Sequence, residues 1–285
     1  MKKLLFLMVL AASAFTAAAQ GRIVSDAIQS ARLGAEVKFN VYLPKDYDAT
    51  QHYPVLYLLH GLSDDYTGWA NKGGVKLVAD ELVNSGELRP LVIVMPNAGG
   101  ADIHHIQNGY FNVQDWPYED FFFQELLPAV ESRYNCGGSK GQRAIAGLSM
   151  GGGGAIVYAQ RHPDLFSSSF GMSPWLDNKH REVRGDDGPG SKLPLTDRSV
   201  CEHSALDFID NADAATLEAL RTVKWFIDCG DDDYLFHLSV GLHQKMKAAG
   251  VHSELRVRDG IHNWEYWHLS LRLALPFASR NFSGQ

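Results

Sequence analysis

Cysteine is scarce in this chain: 3 of 285 residues, at Cys136, Cys201 and Cys229. Three thiols cannot build a disulfide framework, and their spacing matches no zinc site. One optional disulfide is the most they allow, its partners left open. Basic clusters are missing too. The 26 Lys and Arg are outnumbered by 33 Asp and Glu, for a net charge of −7. No Lys/Arg run offsets the deficit, which excludes the clustered basic face that nucleic-acid binding needs. His104 and His105 come nearest to a metal patch. Adjacent side chains on a strand point to opposite faces, however, and no Asp, Glu or Cys stands at ligand spacing. Neither a metal nor another cofactor is expected. Past the N-terminus no apolar run is long enough to cross a membrane, and no internal repeat is present.

The N-terminus is where an apolar run does occur. Lys2 and Lys3 precede Leu4 to about Ala14, and Ala17-Ala18-Ala19 supplies small residues before Gln20. That pattern reads as a secretory signal peptide over residues 1–19. The mature chain is expected to begin near Gln20 and to be periplasmic or secreted. No cysteine follows the run, so no lipid anchor is expected in the mature form.

The chemistry is concentrated in Arg143 to Gly154, a buried strand running into Gly147-Leu148-Ser149-Met150-Gly151 and then into an apolar helix. This is the sequence form of a nucleophile elbow, where a serine on a strained turn exposes its hydroxyl above a sheet. Four successive glycines at a helix start each cost about 1 kcal/mol relative to alanine. A sequence tolerates that where the backbone must pass close to something else.

Around this motif, near-continuous apolar strands alternate with helices. Strands are expected at Ile23 to Ala31, Glu36 to Leu43, Tyr53 to Leu59, Leu91 to Met95, Phe166 to Met172, Val223 to Cys229 and Glu254 to Arg258. Helices are expected at about Val75 to Asn84, Tyr118 to Tyr134, Ser149 to His162, His237 to Ala249 and Trp264 to Leu275. The alternation predicts a single α/β domain over residues 20–285, a mostly parallel sheet with helices on both faces. The long irregular stretch 177–204 is either a plain surface insertion or a lid. Ligands in such sheets sit past the carboxyl ends of the strands, where His60, Ser149 and Asp233 all fall.

A serine hydroxyl needs a base, and the base needs an orienting acid. His262, after a Gly turn and before a helix, is the candidate base. Among Asp231-Asp232-Asp233, Asp233 is the candidate acid and Asp232 the alternative. Asp231 reads as a solvated turn residue or a helix cap. Oxyanion stabilisation requires two backbone N–H groups. Met150, after the nucleophile, should supply one and Leu62, in the His60-Gly61-Leu62 loop, the other, with His60 bracing that loop. The aromatics read mainly as core, but Trp116, Trp175 and Tyr234 are candidate substrate contacts.

The His60-Gly61-Leu62 loop, Tyr118-Glu119-Asp120 with Glu125-Leu126-Leu127-Pro128, Gly147 to Gly152, and His262-Asn263-Trp264 through Trp267 resemble the esterase D group of α/β-hydrolases. That group includes S-formylglutathione hydrolases, tributyrin esterases, and the feruloyl and acetylxylan esterases of carbohydrate esterase family 1. The resemblance covers nearly the whole mature chain. It implies an α/β-hydrolase fold, Ser149, His262 and Asp233 as a triad, and Leu62 and Met150 as oxyanion-hole residues. The expected function is that of a secreted serine carboxylesterase working through an acyl-serine intermediate. Acetyl or feruloyl esters of plant cell-wall polysaccharide are the expected substrates, whether as small molecules or oligosaccharides. The alternatives are an S-formylglutathione hydrolase-like thioesterase, an acyltransferase to a sugar, and a non-catalytic carbohydrate-binding relative.

Overall fold

Strands buried at every position need cover on both sides, and four segments here are of that kind. They are β3 (Val55–Leu59), β4 (Val92–Pro96), β7 (Arg143–Leu148) and β8 (Ser168–Met172). In this computed structural model the described residues are 20–99, 109–178 and 193–283. The expected signal peptide, His104 and His105, and residues 179–192 of the insertion lie outside them. The hairpin β1 (Arg22–Ser30) and β2 (Ala35–Leu43) leads the sheet, which β9 (Lys224–Gly230) and β10 (Ser253–Arg258) complete. A separate ribbon pairs β5 (Asn112–Val113) with β6 (Trp116–Pro117). The main sheet has 8 strands in the order β1-β2-β4-β3-β7-β8-β9-β10. β2 is antiparallel to β1 and β4, and every pairing from β4 to β10 is parallel.

Successive side chains of a strand alternate between faces, and this splits the core in two. Val55, Tyr57, Leu59, Val92 and Val94 join one apolar cluster; Leu56, Leu58, Ile93 and Met95 join the other. The second face is covered by α2 (Val75–Ser85), which follows the single turn α1 (Gly68–Asn71), and by α10 (Trp264–Asn281). The first face is covered by α3 (Tyr118–Phe121), α4 (Leu127–Arg133), α5 (Ser149–Arg161) and α9 (Phe236–Ala248). Beside α5 lie α6 (Leu193–Glu202), α7 (Ala205–Asp210) and α8 (Ala214–Arg221). Short polar side chains start several of these helices. Ser204, Asp213 and Asn263 each accept an N–H of the first turn, relieving an orphan donor.

The structure differs from the sequence expectations in definable places. The helix expected from Tyr118 to Tyr134 has a π-helical turn at Phe122–Leu126 between α3 and α4. The second half of the 177–204 stretch is not irregular: it forms α6, whose Pro194 stands in the first turn, where no N–H is required. α10 continues past Leu275 through Pro276, because Phe277 and Ala278 are buried against the sheet and carry the helix over the lost hydrogen bond. The optional disulfide does not form. Cys136 and Cys229 are buried, and burial pushes the Cys229 thiol up to about 12.

Candidate active site

Five loops meet at the carboxyl edge of the parallel strands, following β3, β7, β8, β9 and β10. Ser149 begins α5 directly after β7, with φ at +50°. That left-handed conformation is costly for a residue with a Cβ. The neighbouring glycines answer to backbone contact. A Cβ on Gly147 would collide with the Gly151 carbonyl, one on Gly151 with the His60 carbonyl, and one on Gly153 with the Trp175 carbonyl. The helix start is thus wedged between the loops after β3 and β8. Trp175 N–H donates to Ser149 O at 2.9 Å and locks the second of these contacts.

His262 lies with Nε2 2.9 Å from Ser149 Oγ and Nδ1 2.8 Å from Asp233 Oδ2. Burial alone would raise the Asp233 carboxyl. Hydrogen bonds from His262 and the Leu235 N–H outweigh it and hold the carboxyl below its usual range. An ionised carboxylate can only accept. Nδ1 therefore carries the imidazole proton, and Nε2 is left to accept from Ser149 Oγ–H. This is the arrangement a proton-accepting imidazole needs. Asp231 and Asp232 are exposed and hold the turn instead. Asp231 Oδ1 accepts from Gly260 N at 3.1 Å, and Asp232 N donates to Gly260 O at 3.2 Å. The β9 and β10 loops are tied together in this way. Asp231 caps no helix, since α9 begins only at Phe236.

His60 is fully enclosed in the loop after β3. Its Nε2 accepts from Ala98 N at 3.0 Å, so Nδ1 donates to Gly61 O at 2.8 Å. Desolvation lowers its pKa, which keeps the ring neutral and makes it a brace. Gly61 passes beside the serine, so close that a Cβ there would lie 3.5 Å from Ser149 Cβ. Leu62 comes next in the chain. Met150 is the second residue of α5, where a backbone N–H has no acceptor within its own helix.

Of the candidate substrate contacts, Trp175 is brought beside Ser149 and Tyr234 beside His262, its ring centroid 4.5 Å from the imidazole. Tyr234 is 64% exposed. Trp116 is packed into the core and only 8% exposed, with no hydrogen-bond partner for its Nε1. Asp228 and Arg258 carry no signature in the sequence. Asp228 is buried under the acid loop, where it accepts from Tyr266 Oη at 2.9 Å and Ser270 Oγ at 2.5 Å. Arg258 Nη2 neutralises it at 2.6 Å. Trp267 packs edge-on against His262 at 4.9 Å. Among the described residues no group of three or more His, Cys, Asp or Glu is placed to hold a metal.

A mostly parallel eight-stranded sheet, covered on both faces and carrying a left-handed serine at a strand–helix junction, defines an α/β-hydrolase. Residues 30–278 match the family described as "Putative esterase", and the chain belongs to that family. A solved ferulic acid esterase is 45% identical with a TM-score of 0.88, over 93% of this chain and 99% of that one. An S-formylglutathione hydrolase from Agrobacterium tumefaciens shares the fold at 20% identity and a TM-score of 0.72, over 93% and 97% of the two chains. The endo-1,4-beta-xylanase/feruloyl esterase of Xylanibacter ruminicola is 33% identical over 132 residues, 45% of this chain and 18% of that protein. The chain spans between 12% and 30% of the length of the curated relatives it matches.

Proposed function

We propose that this chain is an exported carboxylesterase that cleaves feruloyl or acetyl esters of plant cell-wall polysaccharide through an acyl-serine intermediate. The Ser149–His262–Asp233 hydrogen-bonded line carries this reading. His262 Nε2 takes the Ser149 proton as Oγ bonds to the ester carbonyl carbon, and the carbonyl oxygen becomes an oxyanion facing the Leu62 and Met150 N–H groups. Collapse expels the alcohol, whose oxygen receives the proton from Nε2. Water then adds to the acyl carbon, giving a proton to Nε2. Ser149 Oγ departs with that proton as the free acid forms. Asp233 stays ionised throughout and stabilises the imidazolium. The acyl preference is supported by the 45% identical relative named as a ferulic acid esterase. Export is supported by the N-terminal pattern of Lys2 and Lys3 followed by an apolar run and small residues.

The test is acid release from arabinoxylan oligosaccharides, with ferulate and acetate scored together and Ser149→Ala beside wild type. Wild type should release one or both acids, and Ser149→Ala should lose about 10⁴-fold or more in kcat. Release of neither acid, with small esters still cleaved, would overturn the polysaccharide reading while leaving the esterase intact.

A further inference from the structure

Two aromatic rings touch His262, and they differ in what lies beyond them. Trp267 meets it edge-on at 4.9 Å and is buried. Tyr234 meets it at 4.5 Å, tilted by 47°, and is the most exposed large apolar side chain among the described residues. The backbone fixes Tyr234 in that place. Leu235 N–H donates to Asp233 Oδ1 at 2.8 Å and Phe236 N–H to Asp233 O at 2.9 Å, closing a turn with residue 234 inside it. Ile261, the residue before His262, is 52% exposed. The loops that carry these two side chains are joined through Gly260 by Asp231 and Asp232. A single exposed apolar residue is ordinary on a protein surface, but two on joined loops at the mouth of a site mark a contact surface. Each is next in sequence to a member of the Ser149–His262–Asp233 line.

Proton transfer decides which half of an ester this rim meets. His262 Nε2 faces Ser149 Oγ at 2.9 Å, and the proton it takes there goes to the alcohol oxygen. That oxygen must come within about 3 Å of Nε2, so the alcohol half is the part of the substrate drawn to the imidazole. The carbonyl oxygen turns instead toward the loop after β3 and the start of α5. Past the imidazole, the Trp267 side is closed by core and the Tyr234 side is open to solvent. We propose that Tyr234 is the platform for the alcohol half of the ester, and that this half is a sugar. A tyrosine ring offers an apolar face to the C–H face of a sugar ring, and Ile261 extends that apolar surface. A methyl or ethyl group on the alcohol oxygen is too short to cover it. Tyr234 thereby sets selectivity in the first half of the reaction only, because the acyl-serine that water opens no longer contains the alcohol.

The inference rests on the reading of this chain as an esterase of polysaccharide esters. The experiment measures kcat/KM for esters that share an acyl group and differ in alcohol: feruloylated arabinoxylan oligosaccharide against methyl ferulate, and acetylated xylo-oligosaccharide against methyl acetate. Wild type, Tyr234→Ala, Tyr234→Leu and Tyr234→Phe are compared, with a thermal melt of each. The quantity read is the ratio of sugar ester to methyl ester, for whichever acyl group wild type releases. Any disturbance of His262 slows both esters and cancels in that ratio, so a merely structural role leaves it unmoved. In Tyr234→Ala the ratio should fall at least about threefold, the weight of one aromatic contact, and in Tyr234→Phe it should stay nearer to wild type than that. A smaller fall in Tyr234→Ala, or a rise, would overturn the proposal. An equal fall in Tyr234→Phe would do so too, because the hydroxyl and not the ring face would then hold the sugar. Should Tyr234→Ala not fold, the same limits apply to Tyr234→Leu, which keeps the bulk and loses the ring. A wild type that cleaves methyl esters and neither sugar ester would remove the polysaccharide reading and this proposal together. A wild type that cleaves sugar esters with a ratio indifferent to Tyr234 would remove this proposal alone.

Discussion

Asp233 stands where opposing influences meet: burial disfavours its charge, while His262 and the Leu235 N–H favour it. The favourable set prevails, so the folded carboxyl titrates below its unfolded counterpart near 3.9. A group depressed in this way stabilises the fold above its unfolded value, and the contribution disappears as pH falls through the lower folded one. The melting temperature of wild type should therefore exceed that of Asp233→Asn most clearly at neutral pH, and the gap should close below about pH 4. A gap that widened on acidification would contradict the assignment. At pH 7 the same variant should lose about 10⁴-fold in kcat, since an amide no longer selects the Nδ1–H tautomer. Residues of this kind were only partly legible. Chain order pointed to Ser149 and His262, but three adjacent aspartates have the same composition and differ only in where the turn aims them. Gly260 N–H donates to Asp231 Oδ1 and Asp232 N–H to Gly260 O, and that pairing of loops puts Asp233 inward.

At the scale of the element, α5 carries four glycines in a row directly after Ser149 and Met150 and is nevertheless buried along nearly its whole length. Its local propensity is poor, and packing overrides it. Gly153→Ala should gain about 1 kcal/mol of helix propensity and lose more to the collision with the Trp175 carbonyl, where overpacking costs about 1–3 kcal/mol. The displaced loop also holds Ser149 O, so kcat should fall at least about tenfold along with stability. Gly241, in the middle of α9, is the control. A Cβ there would meet only Leu206 Cδ2 at 3.5 Å, an ordinary contact. Gly241→Ala should raise the melting temperature by about 2–4 °C with no effect on kcat; a loss of stability would show that this helix face is tighter than its geometry indicates. Both glycines look alike in sequence. The helices expected at about Val75 to Asn84 and Tyr118 to Tyr134 were legible in outline, whereas the π-helical turn and the continuation through Pro276 were not, because tertiary packing sustains both.

Across the whole molecule, stability and chemistry sit at opposite ends of the same sheet. Arg143 opens β7 and forms a buried bidentate pair with Glu131 of α4, Nε to Oε1 at 2.7 Å and Nη2 to Oε2 at 2.9 Å. Ser149 follows the other end of that strand, about 20 Å away at the usual rise per residue. Removing one partner of a buried pair leaves the other charge unsatisfied. Arg143→Ala should therefore cost about 3–5 kcal/mol in chemical denaturation while kcat, measured well below the melting temperature, stays near wild type. A large kcat loss in a fully folded Arg143→Ala would mean that strain at the foot of β7 reaches the serine.

The sequence by itself determined the doubly covered parallel sheet, because runs such as Val55 to Leu59 and Val92 to Met95 are apolar at every position and have no solvated face. It also determined the serine elbow, since few patterns other than Gly-x-Ser-x-Gly between strand and helix let backbone pass so near a left-handed residue. Tertiary structure alone decided which carboxylate meets His262, that Trp116 is packed into the core while Tyr234 stands at the rim, and that Asp228, Ser173 and Trp267 lie beneath the site. Those outcomes depend on how loops from β8, β9 and β10 pack against one another. A hydrogen bond between residues 94 positions apart, as between Trp267 and Ser173, leaves no local pattern to read.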